Sequence, residues 1–161
     1  LNCINKTGKM FENAQSTYRG KCEPSLRDHI LVTLSGAIHG SVTGESENKI
    51  GRTDILVRFE GGNAFIGECK FWSGEGPYLE AIEQLFRYLG WRDNKAAVIV
   101  FVRNKNFEGV IAKIKAYTPR HPNFSAFVMQ LDKTRGNYEF TAPENPGRVG
   151  LVTMKANHLP E

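Results

Sequence analysis

Two apolar arms, TDILVRF at residues 53–59 and AFIGECKF at residues 64–71, flank Gly61-Gly62-Asn63, and this pattern commits the middle of the chain to an antiparallel hairpin. A turn centred on residue 61 or 62 sets Asp54 opposite Glu68 or Lys70. Because side chains alternate between faces, Glu68 and Lys70 point one way and Cys69 the other. A strict two-residue loop would pair Asp54 with Cys69 and turn the aspartate to the wrong face, so the arrangement requires a three-residue loop or a bulge. Opposed side chains lie roughly 5 Å apart at Cβ, near enough for two carboxylates to hold one divalent cation.

Asp54, Glu68 and Lys70 suit distinct jobs. Two hard oxygen donors fit Mg²⁺ or Mn²⁺, which keep several waters and complete an octahedron with substrate phosphate oxygens. A lysine beside them can orient an attacking water and stabilise negative charge on a reacting phosphate. A Glu-x-Lys pair alone is equally an ion pair on a solvated strand face. Glu68, however, is embedded in the apolar run AFIGECKFW, residues 64–72, where a half-buried carboxylate is costly without a partner. His29, His39, His121 and His158 are scattered, and none stands in a patterned motif with a cysteine or serine nucleophile.

The surrounding pattern supplies an α/β framework. Residues 24–38 carry Leu26, Ile30, Thr33, Leu34 and Ala37 at helical spacing, with Pro24 at the first turn and Gly36 and Gly40 near the end. Residues 41–48 read as a first strand, the hairpin supplies the second and third, and residues 78–91 read as a helix with Leu79, Ile82, Leu85, Phe86 and Leu89 on its buried side. AAVIVFV at residues 96–102 is a continuous apolar run, as in a strand covered on both faces. The connection into it is long enough for a right-handed crossover, which lays it parallel to the third strand. Residues 107–117 predict another helix, residues 124–131 a strand, and residues 138–142 and 149–154 a closing pair of strands around Pro143-Glu-Asn-Pro146-Gly. Residues 5–20 predict one helix followed by a loop. At 161 residues and 40% hydrophobic content, one domain is expected, with its core over 23–103, an N-terminal helix within 1–20 and an extension over 104–161.

In this order and at these spacings, Gly51 to Asp54, then Glu68-Cys69-Lys70, then Gln84-Leu-Phe-Arg-Tyr88 resemble the PD-(D/E)xK nuclease superfamily, the last segment being similar to the Gln-x-x-x-Tyr element of its RecB-like members. The resemblance implies a restriction-endonuclease-like core, a mixed central β-sheet flanked by helices in the order α-β-β-β-α-β, here followed by a C-terminal α-β-β-β extension. It implies a Mg²⁺- or Mn²⁺-dependent nuclease in which Asp54, Glu68 and the backbone carbonyl of Cys69 hold the metal and Lys70 is the catalytic lysine. Gln84 and Tyr88, four apart on one helix face, would support the site or touch the substrate backbone. Thr53 stands where the superfamily name has proline, a proline that many members lack. Some members add an acid from the first helix or first strand, and Glu23, Asp28 and Glu45 are the candidates here. Glu23, ahead of Pro24 at a helix start, is equally explained by the helix dipole.

The net charge is +4, and residues 87–120 hold eight basic residues against two acidic ones. Within that stretch Arg87, Arg92, Arg103 and Lys105 form a candidate track for nucleic-acid phosphates, DNA being the expected substrate, with the steep salt dependence that such contacts bring. Lys113 and Lys115 read equally well as solvated helix lysines. Phe71, Trp72, Tyr78, Tyr88 and Trp91 can stack on bases but suit packing better. Three cysteines without a Cys-x-x-Cys pair predict reduced thiols in a cytoplasm rather than a zinc site. No apolar run approaches a membrane span. A first residue other than methionine predicts a domain of a longer protein, aimed by a neighbouring module, and a homodimer would suit cutting both strands of a duplex. The alternative function is a catalytically inactive nucleic-acid-binding or scaffold module of the same fold.

Overall fold

A run of residues without a polar side needs cover on both faces, and residues 96–102 accordingly lie in the middle strand of a mixed seven-stranded sheet flanked by helices. The computed structural model describes residues 2–38, 41–48, 51–58, 64–88, 93–142 and 145–159. In chain order they form α1 (Asn2–Asn13), α2 (Gln15–Tyr18), α3 (Glu23–Ala37), β1 (Ser41–Asn48), β2 (Gly51–Arg58), β3 (Ala64–Phe71), α4 (Glu75–Tyr88) and β4 (Asp93–Val102). Then come α5 (Phe107–Tyr117), a 3-10 turn (Thr118–Arg120), β5 (Phe124–Asp132), β6 (Arg135–Ala142) and β7 (Asn145–His158). The sheet runs β1-β2-β3-β4-β7-β6-β5. β4 lies parallel to both β3 and β7, and the remaining pairs are antiparallel. The expected α-β-β-β-α-β order is present, and the C-terminal extension widens the same sheet.

Alternation along the strands divides the core between two faces. On one, α4 and α5 bury Tyr78, Ile82, Leu85, Val110 and Ile114 against Leu56, Ile66, Val98 and Val100. On the other, α1 and α3 bury Phe11, Leu26 and Ile30 against Ile55, Cys69, Ile99 and Phe101. Phe101 is fully buried there, its ring 6.0 Å from Phe11 and 5.6 Å from Phe71. Pro24 sits in the first turn of α3, where a missing N–H removes no helical bond. Asn106 caps α5 by accepting the Gly109 amide at 2.9 Å.

Several boundaries differ from the sequence reading. α4 begins at Glu75 and not at residue 78, so Glu75 and Gly76 belong to the helix; Pro77 falls in the first turn, which tolerates it. The expected loop after α1 contains α2, whose Tyr18 closes edge-on over Phe11 at 4.7 Å. β6 starts at Arg135, and β7 takes in Pro146 and Gly147, expected as a turn, and runs on to His158. Pairing with β4 from Val152 to His158 carries the strand past Met154, while Pro146 and Gly147 fall in the register shift against β6 between Ala142↔Asn145 and Thr141↔Val149. The hairpin turn at 59–63, Leu89 and Trp91 lie outside the described residues.

Phe101→Ala is expected to lower the unfolding free energy by about 3–5 kcal/mol through lost burial and cavity formation. Val32→Ala, at a position 73% exposed on α3, should change it by less than about 0.5 kcal/mol. Urea denaturation of the two variants measures both.

Candidate functional site at a strand fork

β2 and β3 pair from Arg58↔Ala64 to Ile55↔Gly67, and there the ladder stops. Each strand then keeps only its other partner: β2 stays on β1 through Asn48↔Gly51, and β3 stays on β4 through Phe71↔Phe101. The sheet therefore forks. Asp54 and Glu68 are the first residues past the last pair, and the register sets them opposite each other, as one of the two expected turns requires.

In an extended strand, alternate residues aim their amides at the same side. Cys69 and Phe71 thus present N–H groups to the side that β2 has left, and carboxylates take its place. The Cys69 amide donates to Asp54 Oδ2 at 2.8 Å, and the Phe71 amide donates to Glu23 Oε2 at 2.8 Å. A buried amide left open costs about 1–3 kcal/mol, whereas a hydrogen bond to a charged group contributes about 1.5–3 kcal/mol. These acids therefore stabilise the fork itself.

Three acids drawn together need counter-charge. Arg27, one helical turn after Glu23 on α3, places Nη1 3.6 Å from Asp54 Oδ1, while its Nη2 and Nε lie 3.1 and 3.2 Å from Asp28 Oδ1. Lys70 is half-buried and close enough to favour the Glu68 anion. Glu68 is only 7% exposed, and its Oε2 accepts no hydrogen bond. Burial pushes its carboxyl up to about 8; the Asp54 charge adds to that, Lys70 opposes it, and Glu23 raises it further. Burial, then Asp54, Glu68 and Glu23, likewise hold the Cys69 thiol well above its ordinary range, which makes it a poor nucleophile.

Asp54, Glu68 and Lys70 thus come together as expected. The Cys69 carbonyl leaves its strand on the same side as its amide, toward Asp54, where a carbonyl ligand was expected. Glu23 joins the cluster. Asp28 does not: its side chain is 62% exposed and pairs with Arg27. Gln84 is half-buried on α4, the helix that packs on the Glu68 and Lys70 face of β3, but makes no hydrogen bond to Asp54, Glu68 or Lys70 among the described residues. The side chains of Tyr88 and Glu45, and the whole of Arg92, lie outside the described residues.

Of the basic track, Arg87 and Lys105 are exposed, while Arg103 donates to the Lys21 carbonyl at 2.7 Å and lies 4.2 Å over the Phe71 ring. Trp72 packs on Tyr78 and stacks on Tyr117, so these rings serve packing. His29 meets Tyr18, His121 lies between Phe86 and Phe140, and His158 stacks on Phe107; none of the three contacts the fork. Sequence reasoning missed Arg27. The available signal was its spacing from Glu23 on the flank of the Leu26, Ile30, Leu34 stripe, which turns a charged pair toward whatever that stripe packs against.

No group of three or more His, Cys, Asp or Glu side chains among the described residues is arranged to hold a metal ion unaided. Asp54 and Glu23 each turn one oxygen onto an amide. The donors available are Asp54 Oδ1, Glu68 Oε2 and the Cys69 carbonyl. This set fits Mg²⁺, which takes one or two carboxylates and completes six positions with waters and phosphate oxygens. The buried Oε2 of Glu68, without a hydrogen-bonding partner, is the feature that fits a hard cation. Compared with known proteins, the chain matches no family model, no curated protein and no solved structure.

Glu68 makes the site's stability depend on pH. Its carboxyl is raised from 4.5 to about 8 on folding, so the folded chain holds the extra proton between those values. The associated stabilisation is complete below the lower value and is lost as pH rises through the upper one, a change on the order of a few kcal/mol. Metal-free protein should therefore melt at a lower temperature near pH 8 than near pH 5, and Glu68→Gln should flatten that slope. Mg²⁺ binding at pH 6.5 should release close to one proton, detectable by calorimetry in buffers of different ionisation enthalpy, and almost none at pH 9.

Proposed function

We propose that this chain is a metal-dependent phosphodiester hydrolase of nucleic acid, with DNA as its substrate, built on the restriction-endonuclease-like core of the PD-(D/E)xK nucleases. Glu68 carries the reading: a carboxylate 7% exposed, with an oxygen lacking any hydrogen-bonding partner, faces Asp54 across a fork and is followed two residues on by a lysine. A purely structural acid at that depth would be satisfied through both oxygens.

Asp54 and Glu68 would hold Mg²⁺ or Mn²⁺, with the Cys69 carbonyl as a neutral third donor. When bound, the cation would polarise the scissile phosphate and acidify a water. Lys70, on the Glu68 face of β3, keeps an ammonium beside the reacting group. There it orients the attacking water in line with the leaving oxygen and stabilises charge gathering on the phosphate. Gln84 and Tyr88 come from the helix over that face and support the substrate backbone. Arg103 and Lys105 follow β4, bordering the carboxyl ends of the parallel strands where open α/β sheets bind ligands.

A second reading is favoured by the amide-capping role of Asp54 and Glu23. Acids kept for the fork alone would give a catalytically silent module of the same fold that binds nucleic acid without cutting it.

Incubation with supercoiled plasmid separates the two. Mg²⁺ should support cleavage, chelator should abolish it, and Lys70→Ala should slow it by about 10²–10⁴-fold while leaving salt-dependent DNA binding in place. Cleavage at an undiminished rate by Lys70→Ala would sink the assigned mechanism, and binding that weakens with salt but never leads to cleavage would establish the silent module.

A further inference from the structure

Both oxygens of Asp54 are engaged. Oδ2 accepts the Cys69 amide at 2.8 Å, which leaves Oδ1 as the oxygen for a cation, and Arg27 Nη1 stands 3.6 Å from it. A guanidinium and a divalent cation cannot share that oxygen without strong like-charge repulsion. Arg27 is also poorly placed to retreat into solvent, since its side chain is 11% exposed. Its Nη2 and Nε are held by Asp28, whose own side chain is 62% exposed.

We propose that Arg27 is the built-in counter-ion of the metal site: it holds Asp54 Oδ1 while the site is metal-free, gives way to the divalent cation, and then pairs with a backbone phosphate of DNA. The proposal rests on the reading of Asp54 and Glu68 as metal ligands. Arg27 is a positioning residue in this role. With Asp28 as pivot, a small rotation of the guanidinium turns Nη1 from Asp54 toward the mouth of the fork, and the planar fork of donors suits phosphate oxygens. The charges at the site make the two binding events interdependent. Bringing a divalent cation beside Arg27, which keeps its contact with Asp28, leaves positive charge at the mouth that a phosphodiester offsets. Metal and DNA should then each tighten the binding of the other by the same factor.

The test is Mn²⁺ titration calorimetry in a Lys70→Ala background, which keeps the DNA intact, with and without a short duplex. In that parent, duplex should tighten Mn²⁺ binding by about tenfold, within the usual range of coupling between sites. Adding Arg27→Gln should let Mn²⁺ alone bind about tenfold more tightly and should remove most of the duplex effect. Arg27→Lys keeps the charge without the fork, so it should retain the weaker metal affinity yet lose most of the coupling. An Arg27→Gln protein that binds Mn²⁺ no more tightly than its parent, or that keeps the full duplex effect, overturns the proposal. Should Arg27→Gln fail to fold by circular dichroism, parental coupling in Arg27→Lys overturns it instead. Mn²⁺ binding that is absent, or that is unchanged in Asp54→Asn, removes the metal site itself and so identifies a failure of the underlying reading.

Discussion

A sheet that splits must satisfy the amides it uncovers, and this requirement organises the molecule around the fork between β2 and β3. The split follows from competing partners: past Ile55↔Gly67, β2 follows β1 while β3 follows β4, and the two ladders continue separately. The amides of Cys69 and Phe71 are left facing the gap, at a strand whose Cys69 is 1% exposed, so water cannot readily replace the lost strand. Asp54 and Glu23 do so instead, one from the departing strand and one from the first turn of α3. Closing the fork with side chains rather than backbone forces acids into a partly buried space, and the site's electrostatics follow from that.

Those electrostatics explain why the neighbouring residues are what they are. With Glu23 and Asp54 fixed by hydrogen bonds, a third acid opposite Asp54 meets both their field and its own burial, and Glu68 is accordingly pushed toward its protonated form. Arg27 and Lys70 limit that repulsion from opposite sides of the sheet, one on α3 and one on β3. Helix α3 is thus tied to the fork by two charges a turn apart, Glu23 to an amide and Arg27 to a carboxylate, as well as by the burial of Leu26, Ile30 and Leu34. The helix that covers one face of the sheet also supplies half of the charge at its split.

Much of the fold was legible because apolar periodicity and turn residues act locally. Residues 41–48, 64–71 and 107–117 have the observed boundaries, the register across the hairpin was one of two expected, and the parallel placement of β4 followed from a connection long enough for a right-handed crossover. The misplaced boundaries are those where partners far along the chain decide. β7 runs on past Met154 because β4 pairs with it as far as His158, and the sequence around those residues carries no trace of that pairing. The site divides in the same way. Asp54, Glu68 and Lys70 could be grouped because one hairpin carries them all, whereas the bond from Glu23 to Phe71 spans 48 residues and the contact from Arg27 to Asp54 crosses from helix to strand. Charge partners of that kind depend on how α3 crosses the sheet, which periodicity alone does not determine.

Capping an amide and holding a cation are compatible tasks for one carboxylate, because it has two oxygens. The bond from the Cys69 amide fixes Asp54 Oδ2 and thereby sets the direction of Oδ1, so the ordering of that side chain is already complete in the fold. Glu23 is held by the same device one step further along β3. Glu68 differs from both. Its Oε2 is buried with no hydrogen bond among the described residues. Folding alone gives no reason to keep an acid there, since an apolar residue of similar size would avoid the desolvation penalty. The chemistry therefore has to explain what the packing does not: a buried oxygen with unused lone pairs, set across from a preoriented one, is suited to a charge that comes from outside the chain.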